Sequence, residues 1–258
     1  MINQIPPAME WILPLCCGFF IVALLYSCVG HAGASGYIAV MSLAGLSAGF
    51  IKPMALILNV GVALITSIQF WRAGHFSWAL FWPFAILAVP AAFLGGWVHL
   101  PGQYYKILLG VVLCFAAWRL TINTLQEVFT QKPSRRTALG MGAGLGFLSG
   151  LTGTGGGIFL TPLLLLNRWA SAKTAAGVSA VFILANSTAG LAGLSMTTHP
   201  LPRLTLPLAA LLAAALAGGL LGSQLGSRHL PHQVIKRCLS IVLLVAGAKL
   251  IITGISGK

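Results

Sequence analysis

The sequence predicts an all-α polytopic membrane protein built as two inverted repeats, each a short glycine-broken helical hairpin plus three transmembrane helices. Three observations carry this reading. Of the 258 residues, 58% are hydrophobic and 7% are charged, against roughly 25% charged in a soluble domain, so a water-exposed surface cannot be made from this chain. Apolar runs recur at 12–29, 34–51, 53–70, 79–98, 104–122, 138–151, 157–167, 174–194, 204–222 and 238–253. Several are long enough to cross a hydrocarbon core of about 30 Å, which takes about 20 helical residues. Finally, the two halves carry the same punctuation in the same order.

Helices rather than a barrel follow because the runs are continuously apolar and rich in Leu, Ala and Gly, without the in-out alternation of membrane strands. The first run reads as a retained segment and not a cleaved signal, since Glu10 precedes it and no Lys or Arg lies upstream. In the first half a glycine-rich break runs from Gly30 to Gly36, and in the second from Gly153 to Phe159. Lys52-Pro53 then answers Lys173-Thr174, Thr66-Ser67 answers Asn186-Ser187, and Pro83 answers Pro207. Gly95 answers Gly219, Leu100-Pro101 answers Leu230-Pro231, Lys106 answers Lys236 and Arg119 answers Lys249. Duplication explains a collinear order of this length better than chance does. The organisation expected is a first transmembrane repeat over 1–126, a basic cytoplasmic linker over 127–137 and a second repeat over 138–258.

Orientation comes from counting. Each unit has two shorter segments around its break, either a re-entrant hairpin or two full crossings, and then three longer segments. The unit is therefore odd, and the second copy enters the membrane upside down. With the N-terminus outside, the inner loops hold Arg72, Lys132, Arg135, Arg136, Arg168, Lys173, Arg228, Lys236 and Arg237, which is nine, and the outer side Lys52, Lys106, Arg203 and Lys258, which is four. If one segment of each pair crossed, the split would be six and seven; the excess of inner Lys and Arg selects the first arrangement.

Charge also excludes function classes. A net charge of +13 in a soluble protein would suggest nucleic acid, but here the basic residues are scattered among short loops and read as topology signals. There is no Asp, and the two acids, Glu10 and Glu127, sit near segment ends. Carboxylates inside membranes usually build Na⁺ sites and proton relays, and an intramembrane enzyme would need a nucleophile, a metal cluster or acid pairs at depth. The chain reads as a non-enzyme without metal or cofactor. Cys16, Cys17, Cys28, Cys114 and Cys238 show no metal spacing and read as packing residues.

The breaks are the candidate site. Segments 138–152 and 155–167 span only about 22 and 20 Å as helices, and short, glycine-interrupted segments at matching places in two halves point to a central site. The segment after each break begins at glycines, near Gly33 and near Gly155, Gly156 and Gly157, where free N–H groups and the positive dipole end favour an anion. Expected additional donors are His31, Ser35 and Thr154 beside the breaks, with Asn59, Thr66, Ser67, Ser179, Asn186 and Ser187 on the following helices. Alternatives stand beside this. Such glycines also serve close helix packing, and such hydroxyls bond a neighbouring helix. His31 could be a ligand donor, a pH-sensitive gate or a buried neutral imidazole bonded to backbone. Arg119 and Lys249 fit snorkelling side chains, and Lys52 and Lys173 fit solvated loop charges or anion-attracting mouths.

The stretches GFLSGLTGTGGGIFLTPLLLL at 146–166 and ANSTAGLAG at 185–193, with VGHAGASGYIAV at 29–40 and FWRAGHFSW at 70–78, make the chain resemble the sulfite exporter TauE/SafE family, the four-toluene-sulfonate uptake permeases. The first-half break departs from the family's triple glycine, with Ala32, Ala34 and Ser35 around Gly33. The resemblance implies a bacterial inner-membrane, multi-pass permease for sulfur oxyanions and organosulfonates such as sulfite, thiosulfate, taurine or sulfoacetate. The expected partners are a small anionic substrate and the lipid bilayer, with no nucleic acid and a homo-oligomer left open. Alternating access between the repeats is the leading mechanism, and an anion channel of the same fold is the alternative.

Overall fold

In the computed structural model the chain is all-helical among the described residues, which are 12–98, 133–197 and 206–228 together with helical positions scattered through 103–118 and 240–255. Apart from those positions, the runs 104–122 and 238–253 lie outside the described residues, as do the linker residues 126–132 and Lys106, Arg119, Arg203, Lys236 and Lys249.

The helices are α1 (Ile12–Ser27), α2 (Ala34–Leu43), α3 (Ala48–Arg72), α4 (Trp78–Trp97), α5 (Arg135–Thr152), α6 (Gly157–Leu166), α7 (Ala172–Ser195) and α8 (Leu206–Arg228). Four of them, α3, α4, α7 and α8, hold apolar spans of 20 to 24 residues, enough for the hydrocarbon core. By contrast, α2 and α6 have 10 residues each, about 15 Å, so neither crosses alone. The apolar run 34–51 is split earlier than expected. Gly45 turns the chain at φ 77 and Ser47, in an extended conformation, starts α3, so Pro53 lies inside the helix instead of opening it.

Bare main chain sets how the helices meet. A Cβ added at Gly142, Gly146 or Gly150 of α5 would collide with the carbonyl oxygen of Phe84, Ala88 or Ala92 of α4. The same four-residue step places Gly218, Gly222 and Gly226 of α8 on the carbonyls of Phe20 and Leu24 of α1 and of Cys28 just past its end. Small residues let helices approach where lipid offers no hydrophobic drive for association. The registers fix directions: α5 runs with α4, and α8 with α1. Contacts of Asn59 with Ser187 and of Leu56 with Gly190 make α3 and α7 antiparallel. Thus α1, α3 and α8 point one way and α4, α5 and α7 the other.

This design predicts that Gly222→Val lowers stability by about 1–3 kcal/mol through overpacking. Gly140→Ala, also helical but with nothing within 4 Å of the added methyl, should instead raise it by up to about 1 kcal/mol. Thermal unfolding of the two variants in detergent checks the contrast.

Two buried apolar clusters fill the interior. One joins α1, α2, α3 and α8 around Phe19, Tyr37, Ile38 and Leu58, and the other joins α4 to α7 around Phe84, Leu160, Leu164 and Phe182. The outside is apolar too: Ile21, Trp82 and Leu94 are each more than half exposed, as a lipid-facing surface requires. Arg72, Arg135, Arg136, Arg168, Lys173 and Arg228 gather at the end where α3 and α8 finish and α5 and α7 begin. His75 sits there as well; burial first, and then Lys173, holds its imidazole below the usual histidine range, opposed by a hydrogen bond to the Ser227 main chain.

Candidate functional site

The second break is shaped by left-handed backbone. Gly153, which ends α5, has φ 76, and Gly155 and Gly156 have φ 77 and 79. Side chains with a Cβ are disfavoured there, so this turn needs the glycines at 153, 155 and 156. Gly156 is the N-cap of α6 and brings no side chain to cap it. The first N–H groups of that helix have no acceptor within it.

Polar side chains from three helices close on this bare turn. A methyl at Gly155 would stand 2.7 Å from Asn59 Nδ2 on α3 and 2.8 Å from Ser187 Oγ on α7. One at Gly156 would stand 3.2 Å from Ser149 Cβ on α5 and 3.4 Å from Asn186 Nδ2 on α7. Asn59, Ser149, Asn186 and Ser187 are all fully buried. Asn59 Nδ2 donates to Ser187 Oγ at 3.3 Å. However, Asn59 Oδ1, Ser149 Oγ and both polar atoms of the Asn186 amide have no partner. An orphaned buried amide or hydroxyl costs about 1–3 kcal/mol, and four such atoms gather beside one helix N-terminus.

The first break reaches the same place through His31. Its Nε2–H donates to Gly157 O at 3.1 Å and to Thr161 Oγ1 at 2.9 Å, and Thr161 passes its own proton to Ser179 Oγ at 2.7 Å. Because a carbonyl oxygen only accepts, Nε2 carries the hydrogen. His31 is thus buried and bonded to backbone, and it ties the two breaks together.

The other sequence candidates go elsewhere. Gly33 caps α2 at φ 99, but a methyl there would meet the Tyr37 ring at 3.0 Å and Val22 at 3.1 Å, so aromatic and aliphatic side chains fill the first break. Ser35 donates to Tyr26 at 2.9 Å behind it. Thr154 pairs with Thr152 at 2.9 Å, and Thr66 bonds Ser27 and the Val62 carbonyl. Ser67 is buried with its hydroxyl unpartnered. Two contributors, Ser149 and Thr161, were not singled out; each looks like an ordinary helical hydroxyl, and its only signal is its place four residues from a break glycine.

Lys52 departs most from expectation. It is 9% exposed and its Nζ donates to the carbonyls of Gly95, Gly96 and Val98 at 3.2 to 3.4 Å. A helix C-terminus in lipid has no water for its last carbonyls, so the ammonium replaces water there instead of standing in a loop. Lys52 lies one turn into α3, past its N-cap Ser47, and Lys173 lies in the first turn of α7, past its N-cap Ser171.

Four long apolar helices and an apolar exterior define a multi-pass membrane protein. The profile of the family Sulfite exporter TauE/SafE matches residues 15–250, and the chain belongs to that family. It is 43% identical over 242 residues to the probable membrane transporter protein y4hK of Sinorhizobium fredii (strain NBRC 101917 / NGR234), a match that covers 92% of this chain and 97% of the relative. No solved structure matches. The chain is thus a multi-pass membrane transporter of the TauE/SafE family, of the kind found in bacterial membranes.

Proposed function

We propose that the chain transports a small sulfur-containing anion, such as sulfite, thiosulfate or an organosulfonate, by alternating access between two inverted repeats. The repeats are 1–126 and 138–258, joined by a basic linker over 127–137, and the basic end of the bundle faces the cytoplasm. The anion sits at the N-terminus of α6, on the N–H groups of Gly155, Gly156 and Gly157, with Asn59, Asn186 and Ser187 completing the shell. His31, Thr161 and Ser179 hold that shell in place.

The observation that carries this reading is the set of orphaned polar atoms on Asn59, Ser149 and Asn186, gathered at a bare helix N-terminus. N–H groups and a helix dipole bind negative charge without a counter-cation, and no Asp exists to repel it. The opposite directions of the α3–α4 and α7–α8 hairpins support inversion, since α3 and α7 are antiparallel neighbours. The pairing of α4 with α5 and of α1 with α8 supports it as well, because exchanging the halves turns one pair into the other. The gathered Arg and Lys side chains support the orientation.

The test is flux of labelled sulfite, thiosulfate and short organosulfonates into proteoliposomes, with and without unlabelled anion trapped inside. Saturable uptake that the trapped anion accelerates is expected. Uptake without acceleration would replace alternation with a channel, and no flux above empty vesicles for any anion would refute the proposal.

A further inference from the structure

The site offers acceptors as well as donors, which is more than a bare anion can use. Asn59 spends Nδ2 on Ser187 and leaves Oδ1 unpartnered; Asn186 leaves both ends of its amide unpartnered. Exchanging the two ends of the Asn186 amide still leaves one acceptor and one donor. A ligand whose every polar atom is an anionic oxygen would press lone pairs against these amide oxygens and leave them without a donor. Among the described residues no cation stands free beside the site to offset a second charge. The ammonium of Lys52 is spent on three carbonyls at the C-terminal end of α4, those of Gly95, Gly96 and the C-cap Val98, and the desolvation cost of an ion grows with the square of its charge.

Resting on the transport reading above, we propose that the bound species is a singly charged oxyanion that carries its own hydrogen-bond donor. An S–OH group, or a hydroxyl or amine one short carbon arm away, satisfies the amide oxygens of Asn59 and Asn186, while the charged oxygens take the N–H groups at the start of α6. For sulfite this selects the hydrogen sulfite form. Transport of sulfite then follows protonation of the substrate and needs no titrating side chain. Among the described residues the titratable groups around the site are His31, Lys52, Tyr26 and Tyr37. The charges of α5 and α7 lie at their far, basic ends, and α6 has none.

The experiment uses the full chain in proteoliposomes and three probes: sulfite, 2-hydroxyethanesulfonate and ethanesulfonate. The last two share charge and length but differ in the donor. The hydroxyl compound should be taken up about tenfold to a hundredfold better at low concentration, the penalty for leaving a buried acceptor without a donor. Sulfite uptake should fall to about a tenth for each pH unit above the substrate's own pKa, while 2-hydroxyethanesulfonate uptake stays flat over the same range. Asn186→Leu should erase the preference for the hydroxyl compound. Equal uptake of the two sulfonates, or sulfite uptake that ignores pH, would overturn the inference and leave anion transport standing. Parallel pH profiles for sulfite and 2-hydroxyethanesulfonate would overturn it too, by placing the titration in the protein. Absence of flux for all three probes while thiosulfate is taken up would overturn the inference alone, and absence for thiosulfate as well would take the transport reading down with it.

Discussion

Gly155→Ala is expected to weaken anion uptake by about tenfold to a hundredfold, while Gly153→Ala leaves uptake by the folded protein within about twofold. Both glycines end or follow α5 in the left-handed region, at φ 77 and 76, so each alanine carries a similar backbone strain of about 1–2 kcal/mol. What differs is where the methyl goes. At Gly153 it meets the Lys52 stem and carbonyl at 3.4 Å, an ordinary contact; at Gly155 it comes within 2.8 Å of Asn59 Nδ2, an Ile183 methyl and Ser187 Oγ. Overpacking of that degree costs about 1–3 kcal/mol, and at Gly155 it falls on the groups assigned to the ligand. Initial uptake rates against substrate concentration, paired with thermal unfolding in detergent, separate strain from site. Equal uptake by the two variants at equal stability would remove the second break from the binding site.

Much of the helical layout is legible in the sequence because bilayer physics leaves few solutions. An apolar run near 20 residues has to be a helix in lipid, and so 53–70 and 174–194 fall inside α3 and α7, while 79–98 and 204–222 overlap nearly all of α4 and most of α8. The breaks are legible for a different reason: runs such as Gly155-Gly156-Gly157 have little use in a spanning helix other than packing or turning. The site was less legible, because a hydroxyl in an apolar helix looks the same whether it bonds its own turn or a ligand. Thr66 and Ser35 are satisfied by Ser27 and Tyr26, whereas Ser149 is not satisfied at all. Only packing separates these cases.

Lys52→Glu is expected to destabilise the fold by about 3–5 kcal/mol, the scale for an uncompensated buried charge. The last carbonyls of α4 have no helical donor, and the Lys52 ammonium reaches those of Gly95, Gly96 and the C-cap Val98 from the adjacent, antiparallel α3. A carboxylate there would face those oxygens at the negative end of the helix dipole. Lys52→Met, of similar length but neutral, removes the donor without adding repulsion, and should cost about 1–3 kcal/mol for the carbonyls left unpaired. Thermal unfolding in detergent should therefore rank Met between wild type and Glu. The same variants decide between the two roles open to this residue. An anion-attracting mouth would lose uptake in Lys52→Met while keeping stability, whereas a cap on α4 loses stability and keeps uptake per folded molecule. A stable but inactive Lys52→Met protein would return the ammonium to the substrate path.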